Sequence, residues 1–383
     1  MFLCDCSSSE AADEVAQRIR QALHEPVQFE GRSLPLGVTM GVALATRDDT
    51  GCEQALRLAD EALRQAKLHD RGQVAQAHAG DRERMNRARE IRRSIDALDA
   101  DDTAPTDGLS VAFQPIVVIN AAGDAVGVSG VEALARWSHP TLGALSPAEF
   151  LSVAVRSGRM QTLGRVLLVR GLRDYAQLPQ QGLNPGRLSL NLSAAELASS
   201  GFVNDFEQQV MQAGLRLSHL SLEITEEVLL DRVSPKTLGQ LLALHDRGAL
   251  LVMDDFGTGT SGLSQLLALP FDTLKIDRVF VQALQDEHRA DCIVRATLSL
   301  ARSLGLAVVA EGIETTAQAQ ALAALGCNAV QGFLFARPMN VADLADWMRL
   351  QAGAHLAGPA RPLQPVLAAT PALKTAPVDT STV

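Results

Sequence analysis

Short runs of β-branched and aliphatic residues alternate along most of the chain with amphipathic segments of helical length. From about residue 110 to 345 this alternation is typical of repeated βα units. Eight strands are predicted, at residues 111–119, 128–135, 188–192, 220–224, 250–253, 273–276, 307–310 and 329–333. Eight strands in about 235 residues match the size of a (β/α)8 barrel, so we expect an α/β fold of that type.

The pattern before residue 100 predicts a separate, smaller α/β unit at residues 1–80. Helical periodicity runs over residues 9–23 and 52–69. The strand-like segment VTMGVALA lies between them, at residues 38–45.

Three further segments complete the predicted organisation. Residues 81–98, DRERMNRAREIRRSIDAL, mix charges of both signs with few apolar positions, as a solvated connecting helix does. The acids, Pro105 and Gly108 that follow suit a linker, which places a boundary near residue 100. We therefore expect a helical linker at 81–105, the barrel domain at 106–350, and a disordered tail rich in Pro, Ala and Thr at 351–383.

The charge of the chain excludes one class of partner. The 383 residues include 34 basic and 44 acidic side chains, giving a net charge of −10, and no long basic run could neutralise a phosphate backbone. Polymeric nucleic acid is therefore not expected as a ligand.

Cysteine and hydropathy patterns bear on the compartment. The 5 cysteines are scattered without CxxC spacing, so neither a disulfide framework nor a zinc ribbon is indicated. No apolar run reaches the roughly 18 residues of a membrane span, and no signal-peptide pattern opens the sequence. These features predict a cytoplasmic chain without a membrane segment, although a region upstream of Met1 could anchor it to the inner membrane.

Polar residues occupy the carboxyl ends of the predicted strands, where (β/α)8 barrels build their active sites. They are Glu132, Asn191, Glu223, Asp254, Asp255, Lys275, Asp277, Glu311 and Gln331. A single such carboxylate is ordinarily a cap or loop residue, but several in one barrel mouth repel one another unless divalent cations neutralise them. An all-oxygen set favours Mg²⁺ or Mn²⁺ over zinc. The adjacent Asp254 and Asp255 would let one carboxylate bridge two ions, as in displacement at phosphorus.

Two basic residues each admit a functional and a structural interpretation. Lys275 would hold or polarise an attacking water, or serve as the counter-ion of Asp277. Arg136 lies four residues after Glu132 and would fork onto a phosphate, or form a surface salt bridge. The pattern leaves both alternatives open.

Eight motifs follow one another in the barrel region. They are FQPIV from Phe113, EALARW from Glu132, NLS from Asn191, EITE from Glu223, DDFGTG from Asp254, LKID from Leu274, AEGIE from Ala310 and QGFLFARP from Gln331. In this order and at these spacings the series resembles the EAL domain family of cyclic-di-GMP phosphodiesterases. The resemblance implies a TIM-like barrel whose first strand runs antiparallel to the others.

The resemblance also implies a reaction, the hydrolysis of one phosphodiester bond of cyclic-di-GMP to linear pGpG with two Mg²⁺ or Mn²⁺ ions as cofactors. A homodimer formed through this domain is implied as well. The implied ligands of the first ion are Glu132, Asn191, Glu223 and Asp254, and those of the second are Asp254, Asp255 and Glu311. Lys275 and Gln331 are implied beside the attacking water, Gln114 and Arg136 at the dinucleotide, and Glu226 as the anchor of the loop after strand five.

Departures from the family pattern leave other functions open. The loop DDFGTGTSGL has Thr260 where the family commonly has an aromatic residue and Gly262 where it has Ser, and Val155 replaces a usual Glu. Because the family contains inactive barrels, the alternative is a receptor or scaffold that binds cyclic-di-GMP or a protein partner without turnover. A different divalent-metal hydrolase is a third possibility. The complete set of implied metal ligands, together with Lys275, favours the enzyme.

Residues 1–80 resemble part of a GGDEF, or diguanylate cyclase, domain. VTMGVALA and LADEALRQAKLHDRGQ, at residues 58–73, are similar to its last strand and last helix, with Lys67 at the family's lysine and Arg64 in place of an aromatic residue. The opening FLCDC resembles the strand after the GGDEF turn, so the sequence lacks the signature loop and the metal-binding aspartate of that family. We expect a truncated GGDEF-like domain without cyclase activity, or alternatively an unrelated small α/β module.

Overall fold

The structure is a computed structural model that divides the chain into two units, Met1–Ser94 and Ile95–Val383. It describes residues 8–23, 26–29, 32–34, 37–44, 52–69, 72–77, 79–99, 107–226, 228, 234–257, 266, 268–285 and 287–354. The FLCDC segment, Thr260, Gly262 and residues 355–383 of the predicted tail lie outside the described residues.

In the first unit, helices pack on short strands. The elements are α1 (Ser9–Ala22), β1 (Val27–Phe29), β2 (Arg32–Leu34), β3 (Met40–Val42), α2 (Cys52–His69) and β4 (Val74–Gln76). β1 and β2 are antiparallel, whereas β3 and β4 are parallel. Helix α2 lies so close to β3 that a Cβ atom at Gly41 would be 1.9 Å from the carbonyl oxygen of Ala59, so only glycine fits at position 41.

Helix α3 (Ala79–Asp96) occupies the segment predicted as a connecting helix. Ile91 and Ile95, one helical turn apart, are fully buried, while Arg92 and Arg93 beside them are exposed. The interpretation of this segment as a solvated helix therefore holds for one face only.

The second unit contains a closed barrel. Its strands are β5 (Leu109–Ile119), β6 (Ala125–His139), β8 (Arg187–Asn191), β9 (Leu220–Thr225), β10 (Leu250–Phe256), β11 (Thr273–Ile276), β12 (Ala307–Ala310) and β13 (Ala329–Val330), and the short β7 (Gly143–Leu145) extends the sheet beside β6. The order around the ring is β5-β13-β12-β11-β10-β9-β8-β6, and β6 pairs again with β5. β5 is antiparallel to both neighbours, whereas the other pairs in the ring are parallel. The predicted eight-strand barrel with an antiparallel first strand is confirmed.

Six strands differ from their predicted bounds, and for two of them the structure shows a local reason. β13 ends at Val330, before residue 333, because the chain must pass the Ile313 backbone: a Cβ atom at Gly332 would lie 2.1 Å from the carbonyl oxygen of Ile313. β10 extends to Phe256 with an irregular register after Met253. The Asp254–Asp255 pair therefore lies within the strand.

Helices surround the barrel. They are α4 (Pro147–Arg156), α5 (Met160–Gln180), α6 (Ala194–Leu197), α7 (Phe202–Gln212), α8 (Pro235–Asp246), α9 (Arg278–Gln282), α10 (His288–Leu304), α11 (Thr316–Ala324) and α12 (Val341–Ala354), the last of which passes the predicted start of the tail at residue 351. Leu188, Leu222 and Leu274 belong to the hydrophobic core that the strands share with these helices. Since side chains alternate along a strand, the residues next to these leucines in the same strands face the barrel interior.

A buried ion pair fastens the start of the barrel to helix α5. The Arg170 side chain is 2% exposed, and its two terminal nitrogens donate to the two carboxylate oxygens of Asp107 at 2.9 and 2.8 Å. Arg170 also donates to the Leu109 carbonyl at 2.8 Å, and the Trp137 indole donates to the Asp107 carbonyl at 2.9 Å. Asp107 thus joins β5, β6 and α5 at one point.

Replacing Arg170 with alanine is expected to lower the free energy of unfolding of the barrel by about 3–5 kcal/mol, because it breaks a buried pair and leaves the Asp107 carboxylate without its partner. Urea denaturation followed by tryptophan fluorescence measures this change. The matched control is Arg349→Ala, which removes an exposed pair with Asp346 and should cost less than about 1 kcal/mol. Equal losses of unfolding free energy in the two variants would show that the Asp107–Arg170 ion pair stabilises the barrel no more than an exposed ion pair does.

Candidate active site

Strand register brings the predicted polar residues to one level of the barrel interior. Gln114 of β5 is paired with Glu132 of β6, and Asn191 of β8 is paired with Glu223 of β9. Each of these four residues lies in or directly after an apolar run, and burial of that run fixes the position of the strand. The strands therefore place the four side chains at one level independently of contacts among the side chains. Gln114, Glu132 and Glu223 are buried, with exposed fractions of 7%, 6% and 1%.

Lys275 is the centre of the cluster. Its side chain is 2% exposed, and Nζ lies 2.9 Å from Glu223 Oε2, 3.4 Å from Glu132 Oε2 and 3.4 Å from Asp254 Oδ1, with a further ion pair to Glu311 Oε1. Asp277, the alternative partner considered for this lysine, accepts from the Val279 amide at 2.7 Å and caps helix α9. One ammonium therefore serves four carboxylates.

Amide side chains complete the cluster. Gln331 Nε2 donates to Glu132 Oε2 at 2.7 Å and to Gln114 Oε1 at 3.1 Å, and Asn191 Nδ2 donates to Glu132 Oε1 at 3.2 Å. Gln114 Nε2 donates in turn to the carbonyl oxygen of Ala336 at 3.0 Å. Both oxygens of Glu132 are thus held by side chains from other strands, which orients this carboxylate.

Asp255 has a strained backbone that sequence patterns do not reveal. Its φ of 55° lies in the left-handed region, which a residue with a side chain adopts at a cost of about 1–3 kcal/mol. Its amide donates to Asp254 Oδ1 at 3.0 Å. Burial and the adjacent Asp254 raise the pKa of Asp255 to about 6. Strain of this kind concentrates at functional sites.

The cluster carries more negative than positive charge, and the pKa values reflect it. Burial, and then the charge of Glu132, raise the pKa of Glu223 well above its usual range. Burial raises the pKa of Glu311 to about 7 against the opposing effect of Lys275. The pKa of Glu132 is lowered, because the Lys275 charge and the hydrogen bonds to this carboxylate outweigh its desolvation. Desolvation of Lys275 is likewise outweighed by its four partners, so its pKa is raised.

The donor set fits a hard divalent cation. The carboxylate and amide oxygens are the ligands that Mg²⁺ and Mn²⁺ prefer, and Glu223 Oε1 is buried without a hydrogen-bond partner among the described residues. In the part of the chain that the structure describes, no three acidic, histidine or cysteine side chains form a ready-made metal site, and the carboxylates converge on Lys275 instead. Binding of an ion therefore requires carboxylates to exchange contacts with Lys275 for contacts with the metal.

Two predicted residues lie outside this network of contacts. Arg136 is half-buried, donates to the Ala135 carbonyl at 2.8 Å, and has its pKa lowered by burial against the charge of Glu132. Glu226 is buried, and its Oε1 accepts from the Gly257 amide at 2.9 Å. Glu226 therefore fixes the turn that directly follows β10.

Comparisons with known proteins agree with this fold. The model of the EAL domain family matches residues 99–338, and the model of the diguanylate cyclase, GGDEF domain, matches residues 1–73. The chain belongs to the EAL domain family.

Individual relatives carry more specific names. The chain is 35% identical over 347 residues to the cyclic di-GMP phosphodiesterase NbdA of Pseudomonas aeruginosa, covering 91% of this chain and 43% of NbdA. The chain thus spans less than half of that relative. The structure is similar to that of the PaMucR phosphodiesterase in complex with c-di-GMP, with a TM-score of 0.59 and 36% identity over 67% of this chain and 98% of that one. It is also similar to a manganese and c-di-GMP complex of Klebsiella pneumoniae BlrP1, with a TM-score of 0.54 and 29% identity over 63% and 58% of the two chains.

Among the residues that the structure describes, no helix combines the length and the apolar character needed to cross a membrane.

Proposed function

We propose that this chain hydrolyses one 3′,5′-phosphodiester bond of cyclic-di-GMP to give linear pGpG, using two Mg²⁺ or Mn²⁺ ions. The observation that carries the proposal is the convergence of Glu132, Glu223, Asp254 and Glu311 on the buried Lys275, in a chain that belongs to the EAL domain family. The likeness to solved complexes with c-di-GMP supports this choice of substrate.

The chain's own residues would divide the work. Glu132, Asn191, Glu223 and Asp254 would hold the first ion, and Asp254, Asp255 and Glu311 the second. Bound ions of this type supply an acidified water and screen charge on phosphoryl oxygens. When carboxylates exchange their contacts with Lys275 for contacts with the ions, this ammonium would have N–H donors for the attacking water. Gln331 Oε1 is buried without a partner among the described residues and can accept a hydrogen bond from that water.

The remaining side chains would bind the dinucleotide. Arg136, with one terminal nitrogen on the Ala135 carbonyl, has further N–H groups for a phosphate. Gln114 is fixed between Gln331 and Ala336 at the same level as Glu132. In the reaction, a water oxygen forms a bond to phosphorus, the bond from phosphorus to one ribose O3′ breaks, and the water proton passes to the leaving oxygen through the site.

We further propose the domain organisation given by the sequence: a GGDEF-like segment at residues 1–80, a helical linker at 81–105 and the catalytic barrel at 106–350. The family resemblance supports a cytoplasmic homodimer assembled through the barrel. Light scattering at several protein concentrations tests the dimer, and a mass that stays at that of a single chain would exclude it.

The decisive experiment incubates the full chain with cyclic-di-GMP and either Mg²⁺ or Mn²⁺ and follows pGpG by chromatography. We expect one pGpG to form for each cyclic-di-GMP consumed. We also expect the reaction to stop when a chelator removes the ion. Retained binding of cyclic-di-GMP without pGpG in either ion would overturn the proposal in favour of a receptor.

A further inference from the structure

The barrel interior beneath the active site is lined by small residues. Two positions before the cluster residues, the same strand faces carry Gly130, Ser189, Ser221, Val252, Thr273, Val309 and Ala329. Residues two apart in a strand face the same side, so these side chains form the next layer of the interior. In (β/α)8 barrels such a layer is ordinarily filled by bulky branched side chains. Here most of the layer is too small to fill the space.

The consequence is a chamber of about 480 Å³ below the cluster. Glu223 and Lys275 line its inner end. Arg187, Asp272 and Leu306 line it near the amino-terminal ends of the strands. This lower chamber therefore enters the barrel from the face opposite to the carboxyl ends that form the active site.

Polar groups line the lower chamber. Ser189, Ser221 and Thr273 line the chamber and are only 3%, 7% and 3% exposed, so their hydroxyl groups are available to a small molecule inside it. Glu223 Oε1 is buried there without a partner among the described residues. Leaving such a group unpaired costs about 1–3 kcal/mol, so the chamber is suited to a guest that makes hydrogen bonds.

The charged groups of the chamber indicate that the guest is neutral. Both cations that line the chamber are already engaged, and Lys275 is shared by four carboxylates. Arg187 donates to the carbonyl oxygens of Ser218 and Leu220, and Asp272 accepts from the Leu251 amide at 2.8 Å. Three hydroxyls that can each donate and accept match alcohol groups, and the unpaired Glu223 oxygen requires a donor.

The rest of the chamber wall is apolar. Ile116, Val252, Phe271 and Leu306 line it, and these side chains offer a water molecule no hydrogen bond. They match the C–H faces of a compact polyol or sugar. The volume lies within the range of small-molecule pockets, roughly 300–1,000 Å³. We propose that the lower chamber is a second ligand site, which binds a small uncharged molecule with several hydroxyl groups.

The test uses the full chain without nucleotide and titrates glycerol, myo-inositol, ribose and glucose separately, by calorimetry and ligand-observed NMR. At least one should bind saturably with a Kd tighter than about 10 mM. Ser221→Leu should weaken this binding at least about tenfold by filling the chamber, whereas Ser152→Leu, on the exposed face of α4, should not.

A second variant removes a hydroxyl at nearly constant volume. Thr273→Val should weaken binding by about three- to tenfold. If Ser221→Leu fails to fold, this variant alone tests whether the ligand binds in the lower chamber. Absence of saturable binding by all four compounds would overturn the proposal and leave the chamber to water. Binding of equal strength in wild type and Thr273→Val would place the ligand elsewhere. Because no nucleotide is present, either result is independent of hydrolysis.

Discussion

Replacing Glu132 with alanine is expected to reduce turnover of cyclic-di-GMP by about 10²–10⁴-fold. Glu132 accepts hydrogen bonds from Asn191 and Gln331 and pairs with Lys275, so its loss removes an ion ligand and the group that orients three others. A bound ion supplies several kcal/mol of transition-state stabilisation, and each 1.4 kcal/mol or so is a factor of ten in rate. Initial rates of pGpG formation with saturating Mn²⁺ measure the loss.

The matched control is Glu207→Ala, which removes an exposed carboxylate paired with Arg247. It should cost less than about 1 kcal/mol of stability and leave the rate unchanged. Thermal unfolding of both variants separates a loss of chemistry from a loss of fold. A Glu132→Ala protein that is folded and turns over at the wild-type rate would show that the ion site is assigned to the wrong residues.

Replacing Lys275 with methionine is expected to lower the free energy of unfolding by about 3–5 kcal/mol in a chelating buffer. The side chain keeps its length, but four buried carboxylates lose their shared cation, and removal of one partner from a buried ionic group is costly. Excess Mn²⁺ should restore part of the loss, since a ligand at about 100 times its Kd stabilises the folded state by about 2.7 kcal/mol. Urea denaturation with chelator and with Mn²⁺ gives both values.

Lys236→Met provides the comparison for this experiment. Lys236 lies on α8 and donates to the carbonyl oxygen of Ala198, in an exposed position. The change should cost less than about 1 kcal/mol and should not depend on Mn²⁺. If the two methionine variants were equally stable in chelator, the buried cluster would not depend on the charge of Lys275.

Much of the barrel could be predicted because its strands are short apolar runs bounded by polar residues. The bounds of β11 and β12 agree with the predicted strands at 273–276 and 307–310. The direction of β5 could not be read from its residues, since an alternating pattern is the same in both orientations, and it followed only from the resemblance. The early end of β13 depends on the approach of Gly332 to Ile313, a contact between separate loops.

The site, like the barrel, could be predicted from the sequence only in part. Polar residues that interrupt apolar strands, such as Glu223 and Lys275, are visible in the sequence, and the barrel topology brings them together. The ion pair between Asp107 and Arg170 joins residues 63 positions apart, and neither residue has a local signature of pairing. By contrast, Ser189 and Ser221 stand two places before cluster residues, so the alternation that revealed the site could also have revealed the chamber.

The closure of the barrel has a consequence for its synthesis. Phe113 and Met339 exchange two backbone hydrogen bonds, of 2.7 and 3.0 Å, and Val117 is paired with Val330. The ring can therefore close only after Val330 has left the ribosome, and until then the growing chain presents unpaired strand edges. Contacts so distant in sequence form slowly, and exposed edges favour aggregation. For this domain, the interval between the first strand and the last is the period in which a chaperone would matter most.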